Sequence, residues 1–207
     1  MCSGLPIWPL QIGTIIQKEF MTGNLPRDFV LKEDFVNESE ARRLIEYIQT
    51  IEFGNVQMYG VTARRRVAQF GWRYSFDTYQ LTPAAPLCPE LLVLRNRVAP
   101  LAGITADRFS EALVTEYPPG AGIGWHRDAP QFGIVAGISL GAECRMRFQR
   151  GEGSERITAA ALLAPRSIYL LTGEARSLWQ HMIPAVKAPR WSITFRTIRT
   201  GRAKQGI

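Results

Sequence analysis

One short stretch of the chain brings an imidazole and a carboxylate together after a glycine-rich turn. Residues 120–128 read Gly-Ala-Gly-Ile-Gly-Trp-His-Arg-Asp, so that a single residue separates His126 from Asp128. Residues two apart on an extended strand point to the same face, and both side chains could therefore bind one metal ion. The simpler alternative is a carboxylate that only orients a surface histidine.

A third ligand is available in His181, because the 207-residue chain has only two histidines. Two histidines and one carboxylate on one octahedral face are the ligand set of non-heme Fe(II) oxygenases, which leaves three positions open for cosubstrate and oxygen. A dinucleotide-binding turn is the other interpretation of the glycines, but no helical pattern follows them. The residue types therefore favour a metal site.

The segment 190–196 alternates polar and apolar residues, as a half-buried strand does. Its polar face carries Arg190, Ser192, Thr194 and Arg196. A guanidinium binds a carboxylate through two parallel hydrogen bonds and keeps its charge. Two arginines on one face beside a metal therefore suit a cosubstrate with two carboxylates.

Together these motifs resemble the AlkB-type Fe(II)/2-oxoglutarate dioxygenases. The resemblance covers about residues 25–200 and rests on order and spacing: Tyr-x-x-Gly at 117–120 before His-x-Asp, Ile-Ser-Leu-Gly at 138–141, Leu-Trp-Gln-His-Met-Ile-Pro at 178–184, and the arginines at 190 and 196. It implies that His126, Asp128 and His181 hold Fe(II), with O2 taking the last open position. It also implies a double-stranded β-helix, the jelly-roll fold of this family.

The resemblance implies a cosubstrate role for five further residues. Arg190 would bind the distal carboxylate of 2-oxoglutarate, and Arg196 would lie near its metal-bound end. Tyr117 and Ser192 would add hydrogen bonds. Thr115 stands where the family often has Asn, and it offers the cosubstrate a shorter donor.

Local patterns agree with a mainly β (α+β) domain. Asn-Glu-Ser-Glu at 37–40 resembles a capping box before a helical apolar repeat, and a second helix is predicted between Pro89 and Pro100. Short apolar strands separated by glycine and proline follow at 112–117, 134–140, 145–149, 167–172 and 191–199, which is typical of a sandwich or barrel. We predict an irregular lead over 1–24 and one domain over 25–207, with its catalytic core at about 111–200 and the helices bracing it outside.

The composition of the chain indicates in which compartment and with which partners we expect the protein. No apolar run approaches the roughly 20 residues that span a bilayer, and residues 1–20 lack the charged start of a signal peptide, so we expect a cytoplasmic monomer. The three cysteines are scattered and predict free thiols. The 25 Lys and Arg against 18 Asp and Glu give a net charge of +7, which favours polyanionic partners.

The segment 54–86 mixes arginines with aromatic residues, a composition that suits a nucleotide-recognition lid and resembles the family's lid in place. Arg64, Arg65 and Arg66 could neutralise phosphates, while Trp72 and Tyr74 could stack on bases. The alternative is that the rings are core strand residues and the arginines a solvated edge.

The function predicted from these features is Fe(II)- and 2-oxoglutarate-dependent oxidative dealkylation of N-alkylated nucleobases in DNA or RNA, as in alkylation-damage repair. A protein-modifying oxygenase acting on methylated side chains stays open, because nucleobase-repairing relatives often carry another acid just after His-x-Asp, where this chain reads Ala-Pro-Gln at 129–131. A basic binding module that has lost its metal is a third alternative. Iron binding alone would eliminate it.

Overall fold

The computed structural model describes residues 24–58, 61–75 and 78–199. Apart from Asn24, the predicted lead over 1–24 lies outside these residues, as do the C-terminal eight residues. Residues 59, 60, 76 and 77 of the predicted lid also lie outside them.

The described elements begin with a short strand and a helix and end with a long strand. The helices are α1 (Glu38–Gln49), α2 (Pro89–Val98) and α3 (Gly173–Ser177). The strands are β1 (Phe29–Lys32), β2 (Gly54–Met58), β3 (Val61–Phe70), β4 (Trp72–Tyr74), β5 (Leu81–Pro83), β6 (Phe109–Tyr117), β7 (Ile123–His126), β8 (Phe132–Gly141), β9 (Cys144–Arg150), β10 (Ile157–Leu163), β11 (Ile168–Leu171), β12 (Gln180–Ile183) and β13 (Arg190–Ile198).

Two antiparallel sheets face each other and form the predicted sandwich. The larger has the strand order β1-β11-β8-β13-β6-β3-β2, and the smaller has the order β10-β9-β12-β7. The predicted lid is therefore partly sheet: β2 and β3 extend the larger sheet beside β6, and β4 pairs with β5 separately. The mainly β jelly-roll prediction is confirmed.

Both predicted bracing helices pack on the outer face of the larger sheet. The capping box of α1 is present, because Glu40 N–H donates to Asn37 Oδ1 and Asn37 N–H donates to Glu40 Oε2, each at 2.9 Å. The buried face of α1 and that of α2 join the outward apolar residues of β6, β8 and β13 in one core. No helix in the described ranges is long and apolar enough to cross a membrane.

A second core fills part of the space between the sheets, and the rest of that space is a cavity. Strand β13 lies between β6 and β8, with Ser192 opposite Thr115 on one side and Ser139 on the other. Since side chains alternate along strands, the even-numbered residues of β13 from Arg190 to Arg196 and the odd-numbered residues of β6 from Glu111 to Tyr117 face the smaller sheet. Beyond the register shift after Arg196, Phe109 packs in the outer core instead. This register decides which polar groups line the cavity.

Candidate metal centre and substrate cavity

His126, Asp128 and His181 meet between the two sheets. His126 is the last residue of β7 and lies directly opposite His181 of β12, with ring centroids 4.3 Å apart. Asp128 lies two residues beyond the end of β7, in the loop that follows it, so strand alternation by itself does not account for the meeting of His126 and Asp128. One potential ligand atom from each residue lies within 4.8 Å of the other two.

The donor atoms fit a divalent metal ion. The Nδ1 of His126 is 2.9 Å from the carbonyl oxygen of Gly124, and because a carbonyl only accepts, Nδ1 carries the proton and Nε2 keeps a free lone pair. Asp128 Oδ1 accepts from Arg196 at 2.8 Å. Its Oδ2 is buried without a hydrogen-bond partner among the described residues and lies 3.6 Å from His181 Nε2. A metal ion would satisfy this oxygen.

The protonation states also suit metal binding. Burial lowers the pKa of His126 and lowers that of His181 to about 3, so both imidazoles are neutral at pH 7. Burial alone would raise the pKa of Asp128, but the positive charge of Arg196 outweighs it and holds that pKa well below its usual range. The site therefore offers two neutral nitrogens and one carboxylate without losing a proton.

Arg176 holds the loop that carries Asp128. Its Nη2 donates to the carbonyl oxygens of Asp128, Ala129 and Phe132 at 3.2, 2.7 and 2.8 Å. The side chain is 6% exposed, so water does not replace these bonds readily. This arginine had no signal in the sequence, because α3 and the loop are 44 to 48 residues apart along the chain.

Replacing Arg176 with Met is expected to loosen this loop. Three carbonyl oxygens, two of them in buried bonds, would lose a charged donor. The free energy of unfolding should therefore fall by about 2 to 4 kcal/mol, since one bond to a charged group contributes roughly 1.5 to 3 kcal/mol. Chemical denaturation measures this loss. Arg145→Met, at an exposed position of β9, is the control and should stay within about 0.5 kcal/mol of wild type. Equal stability of both variants would contradict the role of Arg176.

The residues predicted to bind the cosubstrate share one face, as expected. Arg190 lies opposite Tyr117 in the β13–β6 pairing, and Ser192 lies opposite Thr115. Tyr117, Ser192 and Thr115 are buried and line the cavity, and Arg196 lines it beside the metal ligands.

Arg190 fits a carboxylate although it lies behind the cavity lining. Its side chain is 0% exposed, its Nε donates to Ser139 Oγ at 3.3 Å, and its guanidinium carbon is 4.9 Å from the centroid of the Tyr117 ring. Neither terminal nitrogen has a hydrogen-bond partner among the described residues. A buried cation with two unsatisfied donors is costly unless an anion binds it, and the distal carboxylate of 2-oxoglutarate would supply that anion.

A cavity of about 520 Å³ opens beside the metal ligands. One wall is formed around the ligands by the smaller sheet and the central strands of the larger sheet. The second wall is formed by β2 and β3, at the end of the larger sheet, together with β4. Polar side chains on the second wall are Asn55, Gln57, Arg65, Gln69 and Arg73. A cavity of this volume can enclose a ring-sized substrate next to the metal.

The arginine run 64–66 does not act as one unit, because it lies on strand β3 and its side chains alternate. Arg65 is buried and lines the cavity, and burial lowers its pKa. Arg66 points to the opposite face, where its Nη2 is 2.6 Å from Glu116 Oε2. Arg64 is exposed and covers the turn at Gly120, whose positive φ of 83° favours glycine.

The two predicted stacking residues also separate. Tyr74 is buried, lines the cavity, and packs edge-to-face on Phe132 at a centroid distance of 6.0 Å. Trp72, half-buried and paired with Pro83, is not part of the cavity lining. Both residues lie on β4, but the structure brings only Tyr74 to the cavity lining.

Sequence reasoning missed two further residues at the site. Glu111 is a fully buried carboxylate that pairs with Arg196. Tyr169 lines the cavity from β11, and its ring lies across Gly137 so closely that a Cβ there would overlap it. Burial raises the pKa of Tyr169, which keeps its hydroxyl protonated. The alternation of side chains along β6 could have placed Glu111 on the face of the site. No feature of the sequence near Tyr169 indicates that this residue lies at the site.

A comparison with known families shows to which class of proteins the chain with this candidate metal centre belongs. A family model described as the 2OG-Fe(II) oxygenase superfamily matches residues 28–202. The chain belongs to this superfamily. The superfamily assignment and the His-Asp-His cluster confirm the predicted 2-oxoglutarate-dependent dioxygenase with Fe(II), 2-oxoglutarate and O2 at its site.

Individual relatives place the chain near the AlkB-type members of the 2OG-Fe(II) oxygenase superfamily, as predicted. It is 27% identical over 174 residues to a tRNA (carboxymethyluridine(34)-5-O)-methyltransferase alkbh8 of Xenopus tropicalis, covering 82% of this chain and 27% of that protein. It is 26% identical to the uncharacterized protein L905 of Acanthamoeba polyphaga mimivirus, covering 85% and 87% of the two chains. The chain thus spans about a quarter of the length of the vertebrate relatives.

Two further comparisons agree with this placement. The chain is 27% identical to an "Alkylated DNA repair protein ALKBH8 homolog" of Arabidopsis thaliana, covering 78% of this chain and 51% of that protein. The solved structure titled "The structure of OsALKBH1" has a TM-score of 0.65 at 15% identity, covering 86% of this chain and 99% of that one. The structural likeness shows the shared fold.

Proposed function

We propose that this protein oxidatively removes N-linked alkyl groups from nucleobases in nucleic acid. The observation that carries the proposal is the cavity of about 520 Å³ that joins the metal ligands to a wall of amide and guanidinium groups. Enzymes that modify a base must take it out of its stack into such a pocket. The names of the relatives support the substrate class, because they mention tRNA and alkylated DNA.

The second cavity wall offers groups suited to the edge of a base. The backbone N–H of Tyr74 donates to Gln69 Oε1 at 2.9 Å. Because a backbone N–H can only donate, this bond fixes the amide orientation and leaves the Nε2 of Gln69 as a donor beside the cavity. Tyr74 adds an aromatic ring to the same wall, and Arg65 adds a cation.

The reaction joins these parts. Fe(II), when bound, supplies the oxidative decarboxylation of 2-oxoglutarate by O2, which yields succinate and carbon dioxide and places one oxygen atom on the alkyl carbon next to the base nitrogen. The hydroxylated product then loses an aldehyde and restores the N–H. His126, Asp128 and His181 would hold the metal beside the cavity, and Arg190 would orient the cosubstrate.

A screen of methylated substrates tests the proposal. Methylated RNA and DNA oligonucleotides, single- and double-stranded, and methyl-lysine peptides are incubated with Fe(II) and 2-oxoglutarate, and formaldehyde and succinate are measured. We expect equal amounts of both products from at least one oligonucleotide. Turnover of peptides alone would transfer the proposal to methylated protein side chains.

Arg65→Gln is expected to weaken oligonucleotide turnover, because this cation lines the cavity. The kcat/KM should fall about tenfold or more, which corresponds to one lost charge-assisted bond. If the lost contact is to a phosphate, the slope of log affinity against log salt should also flatten by just under one unit.

Arg66→Gln is the matched control for Arg65→Gln. It removes a neighbouring arginine of the same strand, but one that faces away from the cavity and pairs with Glu116. We expect turnover and salt slope within about twofold of wild type, since exposed ion pairs contribute little. Similar losses in both variants would show that the run binds as a charged surface, and would reject a cavity role for Arg65.

A further inference from the structure

We propose that Glu111 is a positioning residue for the metal centre: it holds one arm of Arg196 and thereby leaves one oxygen of Asp128 free for the metal. Glu111 is buried and is none of the three candidate metal ligands. Its role depends on the metal centre and not on the nature of the substrate.

The three side chains form a continuous buried chain of ion pairs. The Nη1 of Arg196 donates to both carboxylate oxygens of Glu111, at 3.1 and 3.4 Å, and its Nη2 donates to Asp128 Oδ1 at 2.8 Å. Glu111 is 0% exposed and Asp128 is 8% exposed. Arg196 thus divides its two terminal nitrogens between two carboxylates.

The strands place Glu111 and Arg196 together. They lie directly opposite each other in the β6–β13 pairing, on the face that looks into the cavity. The register of β13 shifts immediately after Arg196 toward both neighbouring strands, and such an irregularity re-aims a side chain. The guanidinium carbon also lies 4.9 Å from the centroid of the Phe132 ring, which supports it from a third side.

It matters that Arg196 binds two carboxylates, because an arginine bound to Asp128 alone would compete with the metal for the oxygens of Asp128. Arginine prefers to bind one carboxylate through two parallel hydrogen bonds, which occupy both of its oxygens. Here only Oδ1 of Asp128 is occupied, while Oδ2 faces His181 without a hydrogen-bond partner in the described part of the chain. By holding Nη1, Glu111 excludes the pair through Nη1 and Nη2 and fixes the orientation of the guanidinium, in which Nε also makes no hydrogen bond to Oδ2 among the described residues. Oδ2 is thereby reserved as the ligand atom.

Burial raises the pKa of Glu111 to about 7, against the lowering effect of Arg196, so at neutral pH Glu111 does not supply a full second negative charge. Its contribution to the metal centre is geometric, because both of its oxygens accept from Nη1 of Arg196. A role in the fold alone, as a link between β6 and β13, would instead affect unfolding and leave the metal affinity unchanged.

The test measures binding of Mn²⁺ alone, without 2-oxoglutarate or substrate, by the electron paramagnetic resonance signal of free Mn²⁺. Glu111→Gln is expected to weaken Mn²⁺ binding by roughly 10- to 100-fold, the range typical of groups that orient metal ligands. Glu116→Gln is the matched control, because Glu116 lies on the same strand, faces the other side and pairs with Arg66. It should bind Mn²⁺ within about twofold of wild type.

A second change separates positioning from a role in folding. In Glu111→Gln/Arg196→Met the competing arginine is gone, and we expect Mn²⁺ affinity to recover to within about threefold of that of Arg196→Met. A link needed only for the fold predicts no recovery. Wild-type affinity in Glu111→Gln, or a double variant that binds as weakly as Glu111→Gln, would overturn the proposal.

The double variant also decides the case if Glu111→Gln alone does not fold. It replaces both members of the buried pair, which is often neutral for stability. The comparison is then between Arg196→Met and the double variant. Equal Mn²⁺ affinities support the proposal, because Glu111 acts only through Arg196, and a further loss beyond about threefold in the double variant refutes it.

Discussion

Replacement of His181 with Ala is expected to reduce 2-oxoglutarate turnover to background. The chain has only two histidines, so no third imidazole can take the vacated position. With His126 and Asp128 alone, the metal would lose one of its three protein ligands and its fixed geometry. The loss should exceed the roughly 10- to 100-fold that follows from changing a group outside the ligand set.

Folding of the His181→Ala variant should largely survive, because the neighbouring residues of β12 keep their pairing with β9. Circular dichroism and thermal unfolding of the metal-free protein check this point. Gln180→Ala is the control, since Gln180 is the preceding residue of the strand and bonds to Gln149 instead of facing the metal. Full succinate formation by His181→Ala would show that the metal ligands have been misassigned.

Replacement of Arg190 with Met is expected to raise the KM for 2-oxoglutarate by about 10- to 100-fold. The guanidinium is fully buried and both terminal nitrogens lack a partner among the described residues, so a bound carboxylate would receive two charge-assisted bonds. One such bond is worth about 1.5 to 3 kcal/mol. Arg190→Lys should also be impaired, because lysine keeps the charge and loses the two-pronged geometry.

Stability without cosubstrate gives a second readout for Arg190. An unpaired buried cation destabilises the protein, so Arg190→Met should unfold at an equal or higher temperature than wild type when 2-oxoglutarate is absent. Added 2-oxoglutarate should stabilise wild type and not the variant. Arg147→Met removes an exposed arginine of β9 and should behave as wild type. An unchanged KM in Arg190→Met would refute its contact with the cosubstrate.

The local patterns of the sequence identified most of the catalytic face. Alternation at 190–196 placed Arg190 and Arg196 on one side of a strand, and the structure confirms this because side-chain direction in a strand has a period of two. The capping box at 37–40 identified the start of α1 for the same kind of reason, since its bonds span three residues. Features determined by neighbours in the chain can be predicted from the chain.

The three lid arginines have different roles that the local sequence pattern does not predict. Arg64, Arg65 and Arg66 share a composition that suits phosphate binding, but their roles differ because they lie on a strand that forms one wall of the cavity. Only the pairing of β3 with β6 shows that Arg65 faces the cavity and that Arg66 meets Glu116. The composition of this segment is compatible with strands that have a solvated edge, but it does not indicate this pairing.

The sequence by itself predicted three candidate metal ligands, because two histidines and a spaced carboxylate leave few alternatives, and the structure brings all three together. The tertiary structure alone decided which groups control those ligands. Arg176 reaches the Asp128 loop, and Glu111 reaches Arg196, across 48 and 85 residues of chain. Such contacts depend on strand register and sheet packing, which are determined by the burial of many side chains at once. The local sequence around the contacting residues therefore does not indicate that they meet.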